Sequence, residues 1–166
     1  VNKLKTLSWS KILVYAPSVK DIYGANVSKQ SFNFDGLEHQ MEGKFRPGHF
    51  DGVGTVVSRL FEIIEPNTAY FGEKDFQQLM IIRKLVELKK SLVNIVGCPI
   101  ARDKNGLALS SRNTHLTADE QIHAAKIFKI LKTVKEKSET HDVLKMKQWV
   151  IKQFENLFLE EHKKVK

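Results

Sequence analysis

The chain has one cysteine, Cys98, which excludes an intrachain disulfide and points to a reducing compartment. No apolar run approaches the roughly 20 residues that a membrane-crossing helix requires. The start, Val1-Asn2-Lys3-Leu4, has the features of neither a signal peptide nor a transit sequence, so the cytoplasm is the expected location. An initiator methionine is also missing, and a processed, trimmed or fragmentary chain is expected. His39, His49, His115, His123, His141 and His162 show no zinc-ligand spacing, so no metal site is expected from the protein. Cys98 stands beside a proline in apolar sequence, which favours a structural thiol over a nucleophile. There is no GxSxG, P-loop or Rossmann glycine fingerprint, and no internal repeat or low-complexity segment.

What is present suits a soluble globular protein. The 166 residues are 42% apolar and 28% charged, enough for one domain or one domain plus part of another. The net charge of +8 raises nucleic-acid binding as an option. Residues 129–166 hold ten lysines against six acids, half of that excess, along apparently helical sequence. Neither an arginine cluster nor interleaved aromatics accompany them, so a solvated helix face is the better reading and no nucleic-acid partner is expected. Acidic small molecules such as ATP and carboxylates also suit a basic protein.

Along the chain, residues 11–15 read as a buried parallel strand, and Ser18 as the cap of a short helix through Tyr23. Residues 24–30 are loop-like, Phe32 and Phe34 alternate as on a short strand, and residues 36–41 suit one or two helical turns before a loop at 43–48. Val53, Val56, Val57, Leu60, Phe61 and Ile64 define the strongest helix, which Pro66 ends. Gly52 and Gly54 near its start fit either close helix packing or close approach of a ligand. Residues 68–71 form a strand, and Phe76, Leu79, Met80, Arg83 and Val86 space a second helix to about Lys90. Residues 92–96 are the next strand. Then follow an extended stretch at 100–102, an Asn-Gly hairpin turn at 103–106, a helix opened by the capping box Thr117-Ala118-Asp119-Glu120, and a last helix over 142–161. The α/β alternation gives way to helix after Cys98, which places a domain boundary there.

Three segments could carry chemistry. Gly72-Glu73-Lys74-Asp75 joins a strand to a helix, the junction at which α/β folds present N–H groups and a positive helix end to phosphates. Lys74 can neutralise phosphate oxygens, while Asp75 can cap the helix, bind a ribose hydroxyl or hold Mg²⁺ through water. Gln77 and Gln78 lie on adjacent helix faces, so at most one of them is expected to point inward beside the turn; a polar substrate is one natural partner for Gln78, and ordinary surface exposure is the alternative. The second segment, Gly106-Leu107-Ala108-Leu109-Ser110-Ser111-Arg112-Asn113, offers two hydroxyls and a bidentate fork for phosphates. In the third, Phe45-Arg46-Pro47-Gly48-His49-Phe50, Arg46 and His49 can reach an anion at the positive end of the strong helix. Each also fits an ordinary surface loop.

Together these runs, with Ala16-Pro17-Ser18-Val19, Glu42-Gly43 and Val96-Gly97, closely resemble the pantoate–β-alanine ligase family over nearly the whole chain, fading after about Ala125. The resemblance implies an α/β fold with a Rossmann-like nucleotidyltransferase domain of the class I aminoacyl-tRNA synthetase type. That domain is incomplete over residues 1–98, and part of a smaller α+β carboxy-terminal domain follows over 99–166. It also implies that ATP and pantoate give pantoyl adenylate and pyrophosphate, and that β-alanine then releases pantothenate and AMP. By position, Gly72, Glu73, Lys74 and Asp75 meet ATP; Ala101 meets the adenine, Leu109, Ser110, Ser111 and Arg112 form a mobile phosphate loop, and Lys74, Ser110, Ser111 and Arg112 are catalytic. Gln78, Arg46 and His49 face the substrate, Mg²⁺ accompanies ATP, and a homodimer is expected of the complete enzyme. Complete members carry an earlier strand with a His-x-Gly-His motif and a later glutamine segment, neither of which occurs here. The chain is therefore expected to be a fragment, inactive alone. A catalytically incomplete nucleotide-binding remnant and an RNA-binding relative are the competing functions.

Overall fold

The computed structural model describes residues 12–24, 30–140 and 142–164. Lys11, most of the expected 24–30 loop and His141 lie outside them. The chain divides into two compact units, Val1–Cys98 and Pro99–Lys166, each described by itself below.

In the first unit, Ser18 caps α1 (Val19–Tyr23) in a full capping box with Asp21. A 3₁₀ turn, Leu37–His39, leads into the short α2 (Met41–Phe45). The long α3 (His49–Ile64) follows, starting four residues before the expected apolar stripe. Gly48 at φ 72° supplies the left-handed turn that lets the chain enter α3 so early. Glu65 ends that helix in the αL conformation, and Pro66 prevents its continuation.

β1 (Thr68–Gly72) pairs in parallel with β2 (Asn94–Cys98), and α4 (Phe76–Leu88) makes the crossover between them. The register Thr68↔Asn94 to Gly72↔Cys98 brings both carboxyl ends to one edge. Among the described residues these are the only paired strands. The core of this unit is Phe34, Phe50, Val57, Ile81, Ile82 and Leu85, drawn from the 30–34 segment, α3 and α4. Burying each large side chain contributes about 1.5–3 kcal/mol.

Three strand expectations need correction. Residues 12–15 form no strand, and Leu13 is 91% exposed. A buried parallel strand needs ladder partners, and no described strand pairs with this segment. The 30–34 segment also has no ladder. Its alternating N–H groups donate to side chains instead: Gln30 to Thr55 Oγ1, Phe32 to Asp51 Oδ1 and Phe34 to Glu38 Oε1, at 3.1, 3.0 and 3.2 Å. The alternation of Phe32 and Phe34 was therefore real, but α3 and Glu38 take the place of a partner strand. The second strand begins at Asn94 rather than Leu92, which is 98% exposed, because the Asn94 N–H closes on the Asn67 carbonyl ahead of the ladder.

Gly43 lies inside α2 rather than in the expected loop, and Gly54 lies buried in α3. A Cβ on Gly54 would stand 2.8 Å from the Phe32 ring, whereas one on Gly52 would meet nothing within 4 Å. Close packing therefore explains Gly54.

In the second unit, Arg102 and Ala108 form an antiparallel bridge around the Asp103–Gly106 turn. Asp103 Oδ1 accepts from the Asn105 and Leu107 N–H groups at 2.8 and 2.9 Å. α5 (Ala118–Lys137) opens with the expected Thr117/Glu120 capping box and packs on α6 (Val143–Lys164), burying Ala125, Ile130 and Met146. No helix among the described residues is long and apolar enough to cross a membrane.

Candidate active site

Gly72 ends β1 in extended conformation, and Glu73–Asp75 wind one 3₁₀ turn into α4. The turn thus sits at the carboxyl edge of a parallel strand pair, where α/β folds gather ligands. Glu73, Lys74 and Asp75 are all exposed. The Glu73 carboxylate lies over β2, so that a Cβ on Gly97 would be 3.2 Å from its Oε1. Lys74 makes no ion pair with the described residues, so its ammonium is available to an anion. Asp75 occupies the N-cap position of α4, yet its side chain makes no capping hydrogen bond. Of the three roles open to Asp75, side-chain capping is therefore absent; with φ at −95° and ψ at 61°, the backbone departs from the extended cap conformation.

Of the two glutamines, Gln77 is the inward one. It is 8% exposed and bonded to three backbone groups of residues 37–42. Gln78 is half-buried and makes no side-chain hydrogen bond among the described residues. The inward residue would have been hard to choose from sequence, since either glutamine suits the first turn of α4.

Arg46 and His49 are brought together, and a third group joins them that the sequence reading did not single out. Glu42 Oε1 accepts from Arg46 Nη1 and lies 3.7 Å from His49 Nε2, while Arg46 Nη1 stands 3.4 Å from the same imidazole nitrogen. The Glu42 to Arg46 spacing is the i,i+4 pair of a helix, a signal that was available in the sequence. His49 is the first residue of α3, and its side chain is 21% exposed, tilted against Phe50. Gly43 allows this cluster to form: α2 runs against the 3₁₀ turn so closely that a Cβ there would lie 2.1 Å from the Glu38 carbonyl oxygen.

The remaining candidates belong to the second unit. The Leu109 N–H donates to the Ala101 carbonyl at 2.8 Å, tying the two candidate positions together. Ser110 caps the 3₁₀ turn Ser111–His115 by accepting from the Arg112 N–H at 3.2 Å. Ser111 and the Arg112 side chain face solvent. Asn113 Nδ2 donates to the Ala108 carbonyl at 3.0 Å, and Gln121 Nε2 to the Leu116 carbonyl at 3.1 Å, fixing both ends of the turn. Beneath the hairpin, the Arg102 guanidinium stacks 3.9 Å above the Phe128 ring.

Among the described residues no group of three or more His, Cys, Asp or Glu side chains could hold a metal ion. An apolar cavity of the first unit, about 500 Å³, lies at the other end of the strands, against Pro66, Leu85, Leu92 and Val93. It is remote from Lys74 along β1 and α4 and takes no part in the site.

A parallel strand, a charged turn and a helix, with Lys74 unpaired among the described residues at the carboxyl edge, define an α/β protein. The comparisons with known proteins narrow that class. The family model for pantoate-beta-alanine ligase matches residues 2–166, and the chain belongs to that family. It is 56% identical over 156 residues to a pantothenate synthetase of Flavobacterium psychrophilum, covering 94% of this chain and 55% of that protein. It is 50% identical over 147 residues to that of Christiangramia forsetii, covering 89% and 52%. Among solved structures, pantothenate synthetase from Thermus thermophilus superposes with a TM-score of 0.68 at 40% identity, covering 74% of this chain and 45% of that one. The Francisella tularensis pantoate-beta-alanine ligase, solved with a beta-gamma ATP ligand and beta-alanine, gives 0.63 at 37% identity, covering 80% and 49%. The chain spans about half the length of the curated relatives it matches. The mixed helix and parallel-sheet fold is that of an incomplete Rossmann-like domain.

Proposed function

We propose that this chain carries part of an ATP-dependent ligase that activates pantoate as an acyl adenylate and passes the acyl group to β-alanine, releasing pyrophosphate and then AMP. The observation that carries the reading is the exposed Lys74 turn at the carboxyl edge of β1. A carboxylate attacking the α-phosphate must approach an already anionic group. Lys74 offsets that repulsion, and more strongly as charge builds up in the transition state. Gly72, Glu73 and Asp75 shape the turn around the nucleotide. In the second unit, Ser110, Ser111 and Arg112 supply hydroxyl and guanidinium donors to the phosphates, and the backbone at Ala101 and Leu109 meets the adenine side. Gln78, with an amide not engaged by the described protein groups, and Arg46 and His49 face the pantoate carboxylate. Holding both reactants in one geometry supplies the proximity term.

The described residues offer no protein cage for Mg²⁺. The ion would come with the triphosphate, which binds it through its own oxygens and water, and no step is derived through it. A cytoplasmic location and a homodimer of the complete enzyme complete the proposal. A second reading, nucleotide binding without turnover, is favoured by the exposed residues 12–15, an apolar run with no strand partner among the described residues. A coupled AMP-release assay on the 166-residue chain, run beside calorimetry with ATP, separates them. AMP formation that depends on both pantoate and β-alanine supports the ligase; ATP binding without AMP supports the second reading. Binding of neither ATP nor pantoate sinks both.

A further inference from the structure

Gln77 and Gln78 are neighbours in the first turn of α4, but only Gln77 has its amide fully committed to the protein. Its Nε2 donates to the Leu37 and Gln40 carbonyls at 2.8 and 2.7 Å, and its Oε1 accepts from the Glu42 N–H at 3.0 Å. Two carbonyls and one N–H define the amide's orientation, since a flip would set its oxygen against both carbonyls. No other side chain of that shape reproduces this pattern. A glutamate has no donors in its ionised form, and a methionine has none at all.

The groups it binds belong to the 3₁₀ turn and the first turn of α2. The second residue of α2 is Glu42, whose carboxylate holds Arg46 and lies 3.7 Å from His49 Nε2. At its other end, Gln77 follows Lys74 by three residues and precedes Gln78. One buried amide therefore joins the lysine turn to α2, whose Glu42 and Arg46 would otherwise hang on a five-residue helix beside His49, the first residue of α3. We infer that Gln77 is a positioning residue: acting through Glu42, it holds Arg46 beside His49 at the distance from Lys74 that the carboxylate substrate requires. This rests on the ligase reading of the site.

The test has two arms. In the first, amide hydrogen exchange of the 166-residue chain is compared with that of Gln77→Met, which has no amide oxygen to accept from the Glu42 N–H. The Glu42 amide loses its protection in the variant, while the Ile82 and Leu85 amides in the core of α4 keep theirs; unchanged Glu42 exchange overturns the inference. The second arm measures pantoate binding by calorimetry, with a non-hydrolysable ATP analogue present, in the unsubstituted and Arg46→Ala backgrounds. Gln77→Met weakens binding about tenfold in the first background and less than about twofold in the second, because its effect passes through Arg46. Equal losses in both backgrounds show a merely structural role and overturn the inference. If the unsubstituted chain binds no pantoate, the substrate role fails together with the reading it rests on. The exchange arm still shows whether the clamp itself exists, so the two failures are distinguishable.

Discussion

Replacing Gly43 by alanine adds one methyl group at a position with no room for it. The new Cβ would stand 2.1 Å from the Glu38 carbonyl oxygen, 2.7 Å from its carbon and 3.2 Å from the Phe50 ring. Two of these neighbours are backbone, and Phe50 is fully buried, so α2 must move away from the 3₁₀ turn. Overpacking of this kind costs about 1–3 kcal/mol. The shift also strains the Gln77 bonds to Leu37 and Gln40, each worth about 1 kcal/mol. Against this, alanine gains about 1 kcal/mol of helix propensity over glycine. The net loss is about 2–4 kcal/mol, which at about 2–4 °C per kcal/mol lowers Tm by roughly 4–16 °C. Gly52→Ala is the control: it receives the same propensity gain, its Cβ meets nothing within 4 Å, and it should stabilise by about 0.5–1 kcal/mol. Thermal melts followed by circular dichroism compare the two. A Gly43→Ala chain as stable as the parent would refute the close approach of α2 to the 3₁₀ turn, and with it the packing that presents Arg46.

Lys74→Ala should leave Tm nearly unchanged, within about 0.5 kcal/mol, because the side chain is exposed. If the chain turns over, AMP release should fall about 10²–10³-fold; equal turnover removes Lys74 from the chemistry. The Thr117 N–H and hydroxyl bonds hold the Glu120 carboxyl below the usual carboxylate range. A depressed folded value contributes stability that is present above the unfolded pKa and lost as pH falls through the folded one. Helicity of the parent should therefore drop more steeply on acidification through the carboxylate range than that of Glu120→Gln; parallel acid titrations by circular dichroism would exclude the cap as their cause. Arg102→Lys removes the guanidinium stacked on Phe128 and its bond to the Gly106 carbonyl, at a cost of about 1 kcal/mol. Faster exchange of the Leu107 and Leu109 amides should report it, and unchanged exchange would mean that the hairpin holds itself.

Much of the local structure was legible in the sequence because its causes are local. The capping box at Thr117, the Ser18 cap, the Asn-Gly turn at 105–106 and the apolar stripe from Val53 to Ile64 each depend on residues a few positions apart, and each is present. The glycine turn at 72–75 was legible for the same reason. Strands depend on distant partners, so residues 12–15 and the Phe32/Phe34 segment were misread. An apolar or alternating run shows what would suit a ladder, not whether a ladder forms. The choice between Gln77 and Gln78 turned on carbonyls some 40 residues earlier in the chain. The roles of Gly43 and Gly54 likewise depend on Glu38, Phe50 and Phe32, which the fold brings against them. Glu42 carried its own local signal, an i,i+4 partner in Arg46.

The most direct measurement is an amide chemical-shift titration of the 166-residue chain with ATP and Mg²⁺. Saturable shifts are expected at Gly72, Glu73, Lys74 and Asp75, and at Ser110, Ser111 and Arg112, with Ser91 and Leu92 beside the 500 Å³ cavity unmoved. Those at 72–75 should disappear in Lys74→Ala. Shifts confined to the lysine-rich α5 and α6 and abolished by moderate salt, or an absence of change at 72–75, would contradict a phosphate site at the carboxyl edge of β1.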